Sequence, residues 1–129
     1  EGKLANAPFV TVWGTGQALR EFLHVDDLAR ACVQLMEGDP DHAIYNIGSG
    51  EEISIAELAR LVARIVGYEG KIKFDLSRPD GTPRKLLDSS RMRELGWKPE
   101  ISLAEGIAMT YRQFLRESSA LQRLTSALS

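Results

Sequence analysis

Apolar residues recur along this chain with two different periods, and each change of period marks a new element. "PFVTVW" (8–13) carries the β-branched residues of a strand, and "KIKFD" (71–75) alternates charge and bulk as a half-buried strand does. Between them the period lengthens. Leu28, Ala31, Cys32, Leu35 and Met36 fall at helical spacing and predict one buried stripe, with Asp26 as the N-cap and Gly38 and Pro40 as the stop. Ile55, Leu58, Ala59, Val62, Ile65 and Val66 line a second helix, opened by a capping box from Ser54 to Glu57 and closed by Gly67. A third stripe, Ala104, Ile107, Ala108, Tyr111 and Phe114 or Leu115, follows a second box from Ser102 to Glu105. "EFLHV" (21–25) and "AIYNIG" (43–48) read as short strands, and Asp88 or Ser90 caps a short helix ending at Gly96. From Ser118 the chain is polar and lacks a helix stop.

Strands alternating with helices make the class α/β. The strands are few and short, so some of them are expected to complete a sheet supplied elsewhere. A length of 129 residues accommodates one domain or part of a larger one, and 43% hydrophobic with 26% charged residues is ordinary for a globular protein. No apolar run approaches membrane-spanning length. The net charge of -2 argues against general nucleic-acid binding, which needs a net basic surface to neutralise phosphates. A lone Cys32 makes no internal disulfide, and two separated histidines make no metal cluster. The first residues, "EGKLANAPFV", lack the pattern of a secretory signal, so the cytoplasm is the expected compartment.

The stretch "SRPDGTPRKLLDSSR" (77–91) is the first candidate for chemistry. Pro79 and Pro83 stiffen it, Gly81 permits a tight turn, and Arg78, Arg84 and Lys85 concentrate positive charge, the composition of an anion clamp. The same residues also suit a solvated turn whose cations pair with Asp75, Asp80 and Asp88. A second constellation is "TVWGTGQALREFLHVDD". Trp13 at a strand end, beside glycines and near Arg20, offers stacking and a cation to a nucleotide, or simply a core tryptophan and a surface arginine. "GTGQAL" and "GSGEEI" both lack the third glycine of a dinucleotide fingerprint. Ser49 and Ser54 have no paired histidine, His24 reads as structural, and Asp26 and Asp27 read as helix-cap carboxylates. No nucleophile or general base is named.

"VWGTG" with "REFLHVDDLA", then "YNIGSGEEISIAELA", "PDGTPRKLLD" and "LGWKPEISLAEGI" together resemble the C-terminal part of the GDP-L-fucose synthases, from about Phe9 to about Leu115. "REFLHVDDLA" and "NIGSG" are similar across the extended short-chain dehydrogenase/reductase superfamily, whereas "VWGTG" followed by "PDGTPRKLLD" carries the narrower likeness.

The resemblance implies the substrate-binding part of an NADP-dependent, homodimeric enzyme. Such an enzyme converts GDP-4-keto-6-deoxy-D-mannose to GDP-L-fucose by 3,5-epimerisation and NADPH-dependent 4-reduction. It also implies that Trp13, Arg20, Lys71 and Lys85 contact the GDP-sugar. By the same likeness, residues 1–50 would pack on an upstream Rossmann domain, 51–117 form a nucleotide-sugar lobe and 118–129 a tail. The cofactor loop, the Tyr-x-x-x-Lys triad and the epimerisation residues of that family lie upstream of anything present here. No catalytic residue, cofactor or metal is therefore assigned to this chain, and by itself it is expected to be inactive. Two alternatives remain open: the corresponding lobe of another nucleotide-sugar epimerase or dehydratase, and a non-enzymatic binding domain.

Overall fold

A computed structural model describes residues 1–38, 41 and 44–127, with backbone alone for 119–127. Its elements run β1 (Phe9–Trp13), β2 (Leu19–Glu21), α1 (Val25–Glu37), β3 (Glu52–Ser54), α2 (Ile55–Val66), β4 (Lys71–Asp75), β5 (Arg84–Lys85), α3 (Ser90–Glu94) and α4 (Leu103–Ala127). The α/β class is as the periodicities require. Two small sheets replace one large one: β1 pairs with β4 in parallel, and β2 is central in the order β3-β2-β5. β3 and β5 span three and two residues, too short to leave an alternating signature. The "AIYNIG" strand does not form, since residues 44–49 carry no regular structure; its first residue, Ala43, lies outside the described residues, as does Pro40.

Local capping explains where the helices begin. Ser54 Oγ accepts the Glu57 N–H at 3.2 Å while the Glu57 carboxylate accepts the Ser54 N–H at 3.1 Å, the reciprocal box expected, and Gly67 ends α2 in the left-handed region. Ser102 Oγ likewise accepts the Glu105 N–H at α4. α1 departs from expectation. Its N-cap is His24, whose Nδ1 accepts the Asp26 N–H at 3.2 Å, so the helix starts one residue before the anticipated cap.

Asp27 does not cap its own helix either. It is fully buried and accepts the backbone N–H groups of Glu100 and Ile101, with Arg30 Nη2 donating at 2.6 Å. Burial raises its pKa, but the Arg30 hydrogen bond and the Ile101 and Glu100 N–H groups outweigh that and hold the carboxyl below its usual value. The carboxylate thereby ties the start of α1 to the turn ahead of α4.

The fully buried core is small. Ala31 of α1 meets Met92 of α3 and Trp97, with Leu23, Leu35, Tyr45 and Ile47 packed around them. The α1 stripe is therefore only half covered: Ala31 points inward, whereas Leu28, Cys32 and Met36 are exposed. β1 and β2 pair with strands from the 51–117 stretch. α4 runs on as helix to Ala127, past the polar change at Ser118. Among the described residues no helix is long and apolar enough to cross a membrane.

Candidate functional site

At the end of β1 the chain turns through Gly14, Thr15 and Gly16, and this turn is latched to the basic loop. Asp80 accepts the Thr15 N–H at 2.6 Å and the Thr15 hydroxyl at 2.8 Å, while Thr15 Oγ1 accepts the Gln17 N–H at 3.2 Å. The two donors from Thr15 hold the Asp80 carboxyl below its usual value. Gly14 has φ 77°, and a Cβ there would collide with the Asp80 carboxylate, so the approach requires glycine. Just before the turn, Trp13 stands 68% exposed, with the Arg78 guanidinium 5.0 Å from its ring centroid. Arg78 also lies 3.8 Å from Asp75.

The second half of the site is the short parallel ladder between β2 and β5. Leu19 is registered with Arg84 and Arg20 with Lys85, so Arg20 and Lys85 emerge side by side on one face. The Leu19 N–H donates to the Pro83 carbonyl at 2.8 Å and anchors the loop's exit. Arg20 Nη1 donates to the Leu19 carbonyl at 2.6 Å, and Nη2 lies 3.9 Å from where a Cβ on Gly81 would stand. Trp13, the 14–16 turn, Asp80, Gly81, Arg20 and Lys85 thus form one continuous surface.

Three loop cations do not act as one clamp. Arg84 forks onto Glu52 at 2.8 and 2.7 Å, across β2 on the other face. The paired hydrogen bonds lower the Glu52 pKa and raise that of Arg84. Arg78 is shared between Trp13 and Asp75, so the Lys85 ammonium is left exposed and, among the described residues, without a hydrogen bond or ion pair. Lys71 is not brought to this surface. It is registered with Phe9, at the start of the ladder that ends in Trp13 and Asp75, roughly 13 Å away at about 3.3 Å per strand residue.

Sequence spacing gives no sign of Glu21, yet it ties two loops together from the face of β2 opposite Arg20. Its carboxylate accepts the Gly50 N–H at 2.7 Å and the Leu87 N–H at 3.0 Å, joining the "NIGSG" turn to the end of the basic loop. A Cβ on Gly48 would strike that carboxylate. A dinucleotide does not fit either glycine pair: a carboxylate occupies the space above Gly14 and above Gly48, where a pyrophosphate would need backbone N–H groups and positive potential. The first N–H groups of α2 are also taken, Ile55 and Ala56 donating to the carbonyls of Ala18 and Gly16. No group of three or more His, Cys, Asp or Glu among the described residues could hold a metal ion.

The NAD dependent epimerase/dehydratase family matches residues 2–48. The chain is 54% identical over 116 residues to GDP-L-fucose synthase 1 of Arabidopsis thaliana, covering 90% of this chain and 36% of that protein. It is 49% identical over 124 residues to GDP-L-fucose synthase of Escherichia coli (strain K12), covering 89% of this chain and 39% of that protein. The chain is a relative of the GDP-L-fucose synthases, similar to them over about nine-tenths of its length. Its fold is that of a C-terminal part of such enzymes. A GDP-mannoheptose C4 reductase from Campylobacter jejuni, solved with NADP bound, superposes with a TM-score of 0.73 at 38% identity, covering 82% of this chain and 34% of that one. The chain therefore spans little more than a third of the length of the relatives it matches.

Proposed function

We propose that this chain supplies the GDP-sugar-binding part of an enzyme that converts GDP-4-keto-6-deoxy-D-mannose to GDP-L-fucose by 3,5-epimerisation and NADPH-dependent 4-reduction. The observation that carries the reading is the β2–β5 register, which sets Lys85 beside Arg20 at the exit of the loop that Asp80 latches to Thr15, two residues after Trp13. A guanidinium and an ammonium on one face suit a diphosphate, and an exposed indole suits a base. Trp13, Arg20 and Lys85 are assigned to binding. Lys71, at the far end of its strand, is left outside that group.

NADP(H) would be held by residues beyond this chain, because both glycine turns present here are blocked by carboxylates. When bound it would supply the hydride for the 4-reduction; the residues present here bind and orient the GDP portion. Alone, the chain is expected to be catalytically inactive. The exposed apolar face of α1, including Val25, Leu28 and Met36, is where that cofactor domain would pack. Homodimerisation of the complete enzyme and a cytoplasmic location belong to the same reading.

The test is nucleotide titration of the 129-residue chain, with GDP compared against UDP and dTDP by quenching of Trp13 fluorescence. GDP should bind best, and Lys85→Ala or Arg20→Ala should weaken it about tenfold, the effect of one charge-assisted hydrogen bond. Equal, steeply salt-sensitive responses to all three nucleotides would refute the reading in favour of unspecific anion binding.

A further inference from the structure

The 76–83 loop is exposed almost throughout, and its stem contacts hold only its ends. At the entry, Ser77 and Arg78 bond back to Asp75, and at the exit Leu19 bonds to Pro83. The middle of the loop is held by Asp80, through both hydrogen bonds to Thr15. Thr15 lies two residues after Trp13, and Gly81, next to Asp80, flanks the Arg20 guanidinium. One carboxylate therefore couples the aromatic half of the surface to its cationic half.

A negative charge close to a diphosphate-binding face opposes binding, and the two neutral Thr15 donors stabilise the Asp80 carboxylate without cancelling its charge, so what Asp80 offers a ligand is the latch and not an attraction. A ligand that stacks a base on Trp13 while its phosphates lie on Arg20 and Lys85 needs those points held at a fixed spacing. Freezing that spacing before binding removes an entropic penalty that a loose loop would incur.

We propose that Asp80 is a positioning residue for nucleoside-diphosphate binding, latching the basic loop onto the 14–16 turn so that Trp13 and the Arg20–Lys85 pair are correctly spaced. The inference rests on the binding reading above. It differs from an ordinary fold role in one respect: it acts on ligands that span both halves and not on those that touch one. Pyrophosphate, which reaches the two cations without the indole, should be indifferent to the latch.

The experiment compares GDP and pyrophosphate binding to the 129-residue chain and its Asp80→Ala, Thr15→Val, Thr15→Ser and Lys85→Ala variants, by calorimetry. In parallel, exchange of the Thr15 amide is followed by NMR without ligand. Asp80→Ala should weaken GDP about tenfold, leave pyrophosphate no weaker and speed Thr15 exchange. Thr15→Val should fall between it and the unsubstituted chain, and Thr15→Ser, which keeps both donors, should restore GDP affinity. Lys85→Ala should weaken both ligands. If Lys85→Ala weakens GDP but Asp80→Ala does not, the positioning role falls and the binding reading stands. Equal weakening of GDP and pyrophosphate by Asp80→Ala, or unchanged Thr15 exchange, would also overturn the role. If the unsubstituted chain binds neither ligand, the binding reading falls and takes the inference with it.

Discussion

Replacing Asp27 with alanine tests what holds the start of α1 against the turn before α4. The carboxylate is fully buried and accepts the Glu100 N–H at 3.2 Å and the Ile101 N–H at 3.0 Å, besides Arg30 at 2.6 Å. Truncation leaves two partly buried backbone donors without an acceptor, and each such loss costs about 1–3 kcal/mol. Arg30 adds little, because its side chain is 43% exposed and turns into water or onto Glu100. The sum is about 2–6 kcal/mol, a large part of the roughly 5–15 kcal/mol that stabilises a domain. Asn at this position should be milder, since an oxygen placed where Oδ2 sits still accepts both the Glu100 and the Ile101 N–H groups, and its NH₂ group faces Arg30 instead. Urea unfolding followed by Trp97, which is 3% exposed beside Met92 and Ala31, reads the change in a Trp13→Phe background. The midpoint should fall with an unchanged slope. A loss below about 1 kcal/mol would refute the reasoning, because it would mean the Glu100 and Ile101 N–H groups find other partners at no cost.

Ser54→Ala removes one half of the α2 capping box and should destabilise by about 1 kcal/mol, measured by the same unfolding curves; an effect near zero would show that Glu57 alone caps the helix. Acid titration offers another test. Asp27, Glu52, Glu57, Asp80 and Asp88 all sit below their usual values, 3.8 for aspartate and 4.5 for glutamate. A carboxyl with a lowered folded pKa contributes stability that is complete above its unfolded value and is lost as pH falls through the folded one. Stability should therefore be level down to about pH 5 and decline below it, and a chain equally stable at pH 3 and pH 6 would contradict these assignments.

The helices were legible because their signals are local. Ser54, Glu57 and Gly67 bound α2 through contacts at most four residues apart, and the long apolar stripes need only their own periodicity. Trp13, Arg20 and Lys85 were legible as residue types suited to a nucleotide, and the resemblance selected them. Glu21 and Asp27 were not. Glu21 bonds Gly50 and Leu87, 29 and 66 positions away, and Asp27 bonds Glu100, 73 positions away. A carboxylate beside "DD" at a helix start looks like a cap until the partner from the far end of the chain is in view.

The amino-acid order by itself determined the α/β class, the helix limits set by capping boxes, and the presence of an indole, Trp13, and of cations such as Arg20 and Lys85. Local energetics suffices for those, since each depends on residues within one or two turns. Tertiary structure decided which cations remain available. Arg84 is neutralised by Glu52 and Arg78 is shared with Asp75, while Lys85 emerges beside Arg20 because a two-residue strand pairs in parallel with β2. Strands that short have no stable register of their own; they acquire one only when loops such as the Asp80 latch bring them together, and that is a property of long-range contacts alone.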